Sequence, residues 1–270
     1  MKISRKKAMA KITQHDFDWS VTNRRVVMFI PNFKRKNLLI PTLKRFKTTL
    51  PDQDWIFLVV NDGPHEDLSD LAEYNLAYFT FERDPAVERN GCMIRNYVLK
   101  RLQCEVMTTR DPEIFTEGED HIERVAKIKD IIYRPIRMVE LQEPETPKIL
   151  ANPTVSVEQL GHRAIHTLRN PMEPRAFHAG FAAHVKRLMD IGGYDEDFAD
   201  YYGWEDIDIL HRLVQSGADI YVDNKVSTYH IWHMRRQKFL KTVRDNGLAF
   251  ESKRKKNELV ANEGKEWGNG

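Results

Sequence analysis

Four short apolar runs, each closed by a turn-forming or charged step, constrain the fold of this chain more than any other feature. Val26-Val27-Met28-Phe29-Ile30 ends at Pro31, and Trp55 to Val60 ends at Asn61-Asp62-Gly63. Leu76 to Phe81 is a weaker third run, and Val106-Met107-Thr108-Thr109 ends at Arg110-Asp111. Apolar runs of this length bounded by such residues read as buried strands. Leu39, Leu43, Phe46 and Leu50 recur at helical spacing after the first run, and Gly91 to Leu102 reads as a helix before the last. Alternating strands and helices predict an α/β fold with a Rossmann-like, mostly parallel sheet and helices on both faces. In such sheets ligands sit beyond the carboxyl ends of the strands, where Pro31, Asp62 and Asp111 fall.

The 270 residues suit one large domain, and a 41% hydrophobic content is enough for a single buried core. The formal net charge is only +2, but it is unevenly placed. Lys2, Arg5, Lys6, Lys7 and Lys11 crowd the first residues, and Arg235, Arg236, Lys238, Lys241, Arg244 and Lys253-Arg254-Lys255-Lys256 crowd the last part. Such clusters suit anionic partners, an anionic membrane surface or a nucleic acid, and equally a solvated tail. Cys92 and Cys104 stand apart without metal-ligand spacing, which predicts no disulfide framework and a reducing compartment. No apolar run approaches the ~20 residues that cross a bilayer, so a soluble, cytoplasmic protein is expected, with any membrane contact peripheral.

Residues 112–175 are less regular. Gly118 to Ile132 has helical character, but Pro135, Pro144, Pro147, Pro153, Pro171 and Pro174 predict extended segments and loops after it. Beyond them, Val185, Leu188 and Met189 mark a helix stopped by Gly192-Gly193. Tyr194 to Tyr202 mixes carboxylates with aromatic residues, as a loop over a ligand would. Gly203-Trp204 turn the chain into a second helix, with apolar face Ile207, Leu210, Leu213 and Val214 and an end at Gly217. Glu205 and Asp206 fall in its first turn, where the aligned peptide dipoles favour anions. They serve there either as simple helix-starting residues or as a catalytic base and its companion. Asp219-Ile220-Tyr221-Val222 reads as a strand, Ser227 leads to His230-Ile231-Trp232-His233, and the basic tail carries Phe239, Leu240 and Phe250 as an amphipathic helix would.

The run GGYDEDFADYYGWEDIDILHRL resembles the C-terminal signature of inverting glycosyltransferases of the GT-A fold, of family-2 type with a galactosyltransferase-like Gly-Trp-Glu-Asp region. In the first half, VVMFIPNF, VVNDG and RNGCMIRNYVLK are similar to that fold's nucleotide-binding segments. The resemblance spans roughly Arg24 to His233. It implies a basic N-terminal arm (1–23), a GT-A domain (24–235) and a basic C-terminal tail (236–270). Within the domain, 24–115 would form the nucleotide-binding half and 176–235 the acceptor half.

By the same resemblance, Asp206 is the general base and Glu205 binds the acceptor or orients the base. Pro31, Asp62, Gly91, Arg95 and Asn96 face the nucleotide-sugar donor, most readily a UDP-sugar. Trp204 and Tyr202 lie on the acceptor side, although a core role for Trp204 suits the residue as well. The family places two Asp at the end of the fourth strand to hold Mn²⁺ or Mg²⁺. This chain has Thr109-Arg110-Asp111-Pro112-Glu113. Asp111 would then be a ligand, with Glu113 replacing the second acid, or else a turn residue, and Arg110 would contact a phosphate. His233, with His230 as second choice, would reach the metal, and one of the two is expected to be a packed strand residue. The implied chemistry is transfer of a sugar with inversion to a glycan or lipid-linked acceptor. A modified nucleic-acid base as acceptor, or binding of a nucleotide sugar without catalysis, remain alternatives.

Overall fold

The computed structural model describes residues 12–82, 90–118, 121–129, 131–169, 181–198, 203–234 and 239–269. The four apolar runs are β1 (Val26–Asn32), β2 (Trp55–Asp62), β3 (Leu76–Phe81) and β4 (Val106–Thr109). They pair in parallel in the order β3-β2-β1-β4, with Val26 opposite both Trp55 and Val106. The runs are continuous because both faces of this part of the sheet are covered. Val27, Phe29, Leu58 and Phe79 face one core and Val26, Met28, Phe57 and Val59 the other. Helix α1 (Lys36–Arg45) covers the second face through Leu39 and Leu43, and α2 (Gly91–Leu99) covers the first through Ile94 and Val98.

Beyond β4 the sheet continues as a mixed one. After β5 (Ile114–Gly118) and α3 (His121–Ala126) come β6 (Ile131–Leu141), α4 (Glu145–Ala151) and β7 (His162–Thr167). Then follow β8 (Ala182–His184), α5 (Val185–Asp190), α6 (Glu205–Gln215), β9 (Asp219–His230) and α7 (Phe239–Lys255). The full order is β3-β2-β1-β4-β8-β6-β9-β5, with β7 on β6. The helix anticipated over Gly118 to Ile132 is therefore reduced to α3. Gly118, at φ +140, still belongs to β5, where an added Cβ would lie 2.4 Å from the Lys225 carbonyl oxygen. The extended segments anticipated after it include the 11 residues of β6 and its partner β7. Pro135 is tolerated inside β6 because the ladder to β9 shifts register between Pro135 and Arg137, where no amide donor is needed. A third, smaller core of Leu38, Phe115, Val139, Leu141, Ile149, Leu160 and Ile231 holds this insertion to the rest.

The first and last described segments are drawn into the packed body. Thr80 N donates to Ile12 O (2.8 Å), and Phe17 and Trp19 pack on Phe79. The chain after α7 returns to α2 and to the Gly192-Gly193 turn. Asn262 Nδ2 donates to Gly192 O and Tyr194 O, each at 2.8 Å, and Gly268 N donates to Glu196 Oε1 (2.9 Å). Both cysteines are free thiols. Among the described residues no helix is long and apolar enough to cross a membrane.

Candidate functional site

The carboxyl ends of β1, β2 and β4 form one polar rim, as parallel order requires. Pro31 is half-buried next to the end of β1, and Asp62, 2% exposed, ends β2. Between them, Asn32 Nδ2 donates to Asn61 Oδ1 (2.8 Å) and to Glu66 Oε2 (2.7 Å). The Arg35 amide, at the mouth of α1, donates to the same Glu66 oxygen (3.1 Å). The Arg35 guanidinium then turns to Glu113, in the turn between β4 and β5, and forms an ion pair with it. Arg35 and Glu66 were not anticipated. Arg35 is the middle of Lys34-Arg35-Lys36 and Glu66 stands in an acidic loop, so neither has a local pattern that separates it from ordinary surface charge.

Glu113 is the centre of a three-residue cluster. Its Oε1 lies 2.9 Å from His233 Nε2 and 3.9 Å from His230 Nε2, and one ligand atom from each residue falls within 4.8 Å of the others. The antiparallel pairing of β5 with β9 sets Ile114 opposite His230, and Ile231 N donates to Glu113 O (2.9 Å), which fixes the approach. Burial alone would push the Glu113 carboxyl up. The hydrogen bond from His233 and the charges of Arg35, His233 and His230 outweigh it and hold the group at about 2. Its Oε2 is buried without a hydrogen-bond partner. Both histidines thus face the cluster, where one had been expected to be packed away. Asp111 stands two residues before Glu113, its carbonyl accepting from Ile114 N (3.0 Å), and is outside the cluster.

The remaining donor-side candidates divide. Gly91 opens α2 under the Asn90 cap, whose Oδ1 accepts from Cys92 N (2.9 Å). Asn96, fully buried, is consumed by the fold: its Nδ2 donates to Tyr194 O (2.7 Å) and Glu196 Oε1 (2.8 Å), and its Oδ1 accepts from Tyr194 N (2.8 Å). Arg110 is 2% exposed and turns into the sheet, donating from Nη1 to Thr116 Oγ1 (3.2 Å), with burial pulling its pKa down to about 10. Arg95 is also buried, its guanidinium 5.4 Å from the Tyr194 ring centroid, with Nε and Nη1 lacking hydrogen-bond partners. Burial opposes its charge, but the carboxylates of Asp206 and Glu205 offset this and hold it protonated.

Arg95 therefore joins the donor half to the carboxylate pair. Glu205 and Asp206, each 5% exposed, occupy the first turn of α6, as the sequence pattern required. The turn is made by Trp204 at φ +80, a conformation that costs a bulky residue energy and is held here by packing. The Trp204 ring stacks on Phe250 of α7, with centroids 5.2 Å apart. It also borders a cavity of about 330 Å³ with Ile207, Leu210 and His211. Tyr202 lies outside the described residues.

No protein-family model and no curated protein sequence matches the chain. Solved structures do match in shape. The mannosyltransferase PcManGT from Pyrobaculum calidifontis, in complex with GDP-Man and Mn²⁺, superposes with a TM-score of 0.52 at 13% identity, over 83% of this chain and 63% of its own length. GalNAc-T7 with UDP, GalNAc and Mn²⁺ gives 0.54 at 14%, over 85% and 48%. S. aureus TarS gives 0.52 at 14%, over 77% and 37%. The chain spans less than two thirds of the length of each. These likenesses identify the α/β architecture as the GT-A fold.

Proposed function

We propose that the protein is a metal-dependent glycosyltransferase that moves a sugar from a nucleotide sugar, UDP-linked, to a hydroxyl of a glycan or lipid-linked acceptor, with inversion. The observation that carries this reading is the Glu113, His230 and His233 cluster on the carboxyl rim of a GT-A sheet. Its donor set fits a divalent cation: the Glu113 carboxylate, with Oε1 2.9 Å from His233 Nε2 and with Oε2 buried without a hydrogen-bond partner, groups with two imidazoles. Nitrogen ligands favour Mn²⁺ over Mg²⁺. A cation bound there would supply charge neutralisation to the departing nucleoside diphosphate. PcManGT and GalNAc-T7, crystallised with Mn²⁺ and nucleotide or nucleotide sugar, support the same reading.

The chain's own groups do the rest. Asp206 accepts the proton of the incoming hydroxyl, its anionic form favoured by the α6 dipole and by Arg95. Glu205 orients that hydroxyl, and attack from the face opposite the leaving group inverts the anomeric carbon. Pro31, Asp62 and Gly91 border the donor. Arg244, Lys255 and Lys256 lie exposed along α7 and its end with Leu248, which is 63% exposed, and suit an acceptor held at an anionic surface.

Calorimetric titration with UDP, GDP and dTDP, with and without Mn²⁺, tests the proposal. One nucleotide should bind in a Mn²⁺-dependent manner that Glu113→Ala abolishes. No binding of any of them by the wild-type protein would overturn it.

A further inference from the structure

A second cavity, of about 210 Å³, opens directly beside the cluster and is bordered by Glu140, Arg163, Trp232 and Met234 together with His230 and His233. We infer that it is a subsite for one neutral hexopyranose ring, built by the antiparallel β6–β7 pair, with Trp232 as the stacking face and the Glu140–Arg163 pair as the hydroxyl reader. The inference rests on the proposed function for the identity of the reaction, but its geometry stands alone. Glu140 is the cross-strand neighbour of His230 on one side and of Ala164 on the other. The strand pairing therefore seats the polar residues of β6 and β7 next to the cluster. Arg163 forms an ion pair with Glu140, and His166 Nε2 lies 3.2 Å from Glu140 Oε1.

Size and chemistry select the ligand. The space of about 210 Å³ lies below the several hundred Å³ that larger ligands fill and suits a single sugar ring. A sugar hydroxyl is both donor and acceptor, and a carboxylate beside a guanidinium presents an acceptor and donors at one place. The pair is neutral overall, so a phosphate or uronate attracted by Arg163 would be repelled by Glu140. Trp232, with Thr146 Oγ1 donating to its carbonyl (2.8 Å), supplies the flat apolar surface that the C–H face of a pyranose covers. Two sources share this chemistry: the sugar being transferred and the terminal sugar of the acceptor.

Saturation-transfer NMR with the methyl glycosides of glucose, galactose, mannose and N-acetylglucosamine tests the subsite without any nucleotide. At least one should receive saturation on its ring protons from the wild-type protein, with affinity falling roughly tenfold in Trp232→Ala and in Arg163→Ala. Arg163 has a side chain 53% exposed, so its variant keeps the fold and guards against a trivial loss. Displacement of the glycoside by a nucleotide sugar, but not by the free nucleotide, would assign the subsite to the transferred sugar. Glycoside bound together with the nucleotide sugar would assign it to the acceptor. No transfer to any glycoside, or transfer undiminished in both variants, overturns the inference. Absence of nucleotide binding would sink the proposed function while leaving the glycoside result to decide the subsite.

Discussion

Replacing Glu113 by Gln keeps the side chain's size and imitates the protonated acid, so it isolates what the buried charge contributes. The folded protein holds this carboxyl at about 2 against an ordinary 4.5. At 1.36 kcal/mol for each tenfold change in proton affinity, the difference corresponds to about 3 kcal/mol. Because the folded value is depressed, the unfolded chain binds more protons between the two values and stability rises with pH there. The contribution is complete above about pH 5 and is lost as pH falls through 4 toward 2. Urea unfolding of both proteins in chelator, followed by circular dichroism at pH 7, 5, 4 and 3, reads the effect. Glu113→Gln should be less stable by about 3 kcal/mol at pH 7, and the gap should narrow below pH 4.5 as the wild-type carboxyl takes up its proton. A gap that stays constant down to pH 3 would refute the reasoning, since it would reflect packing and not charge. Adding Mn²⁺ at a hundred times its dissociation constant should widen the pH 7 gap by about 2.7 kcal/mol, through stabilisation of the wild type alone.

Asp206→Asn should abolish sugar transfer while leaving nucleotide affinity within a few fold, measured by product formation and calorimetry on the same preparation; a large loss of nucleotide affinity would place Asp206 on the donor side. Gly193→Ala should destabilise by about 2–4 kcal/mol, because Gly193 sits at φ +68 and a Cβ there would lie 2.5 Å from Asn96 Oδ1. The urea midpoint reads that cost. Asn262→Ala should cost about 3 kcal/mol, at ~1 kcal/mol for each bond lost to Gly192 O, to Tyr194 O and from Glu196 N. An unchanged midpoint would mean that the C-terminal segment merely rests on the turn.

Much of the fold was legible because β1 to β4 are covered on both faces, and covered strands write themselves as unbroken apolar runs. β6 was legible only as an extended segment, because its burial is irregular and Pro135 breaks the run at a bulge that only the pairing with β9 reveals. The carboxylate pair at the start of α6 was legible from glycines, an aromatic step and a helical face within one stretch of chain. The Glu113 cluster was legible only as a set of candidates. Glu113 and His230 are 117 positions apart and meet through the register of β5 on β9, which no local pattern encodes. Spacing also pointed equally to Asn96 and Arg95, adjacent residues on one helix. The folded protein separates them by hydrogen-bond capacity. Asn96 spends its amide on the Gly193-Tyr194 turn, so it is structural, whereas the buried Nε and Nη1 of Arg95 have no partner. The same distinction sets Glu113 apart, with one oxygen engaged by Arg35 and His233 and the other unspent. A buried polar atom without a protein partner is costly unless water or a ligand completes it, and those of Arg95 and Glu113 lie where the proposed donor and cation would meet them.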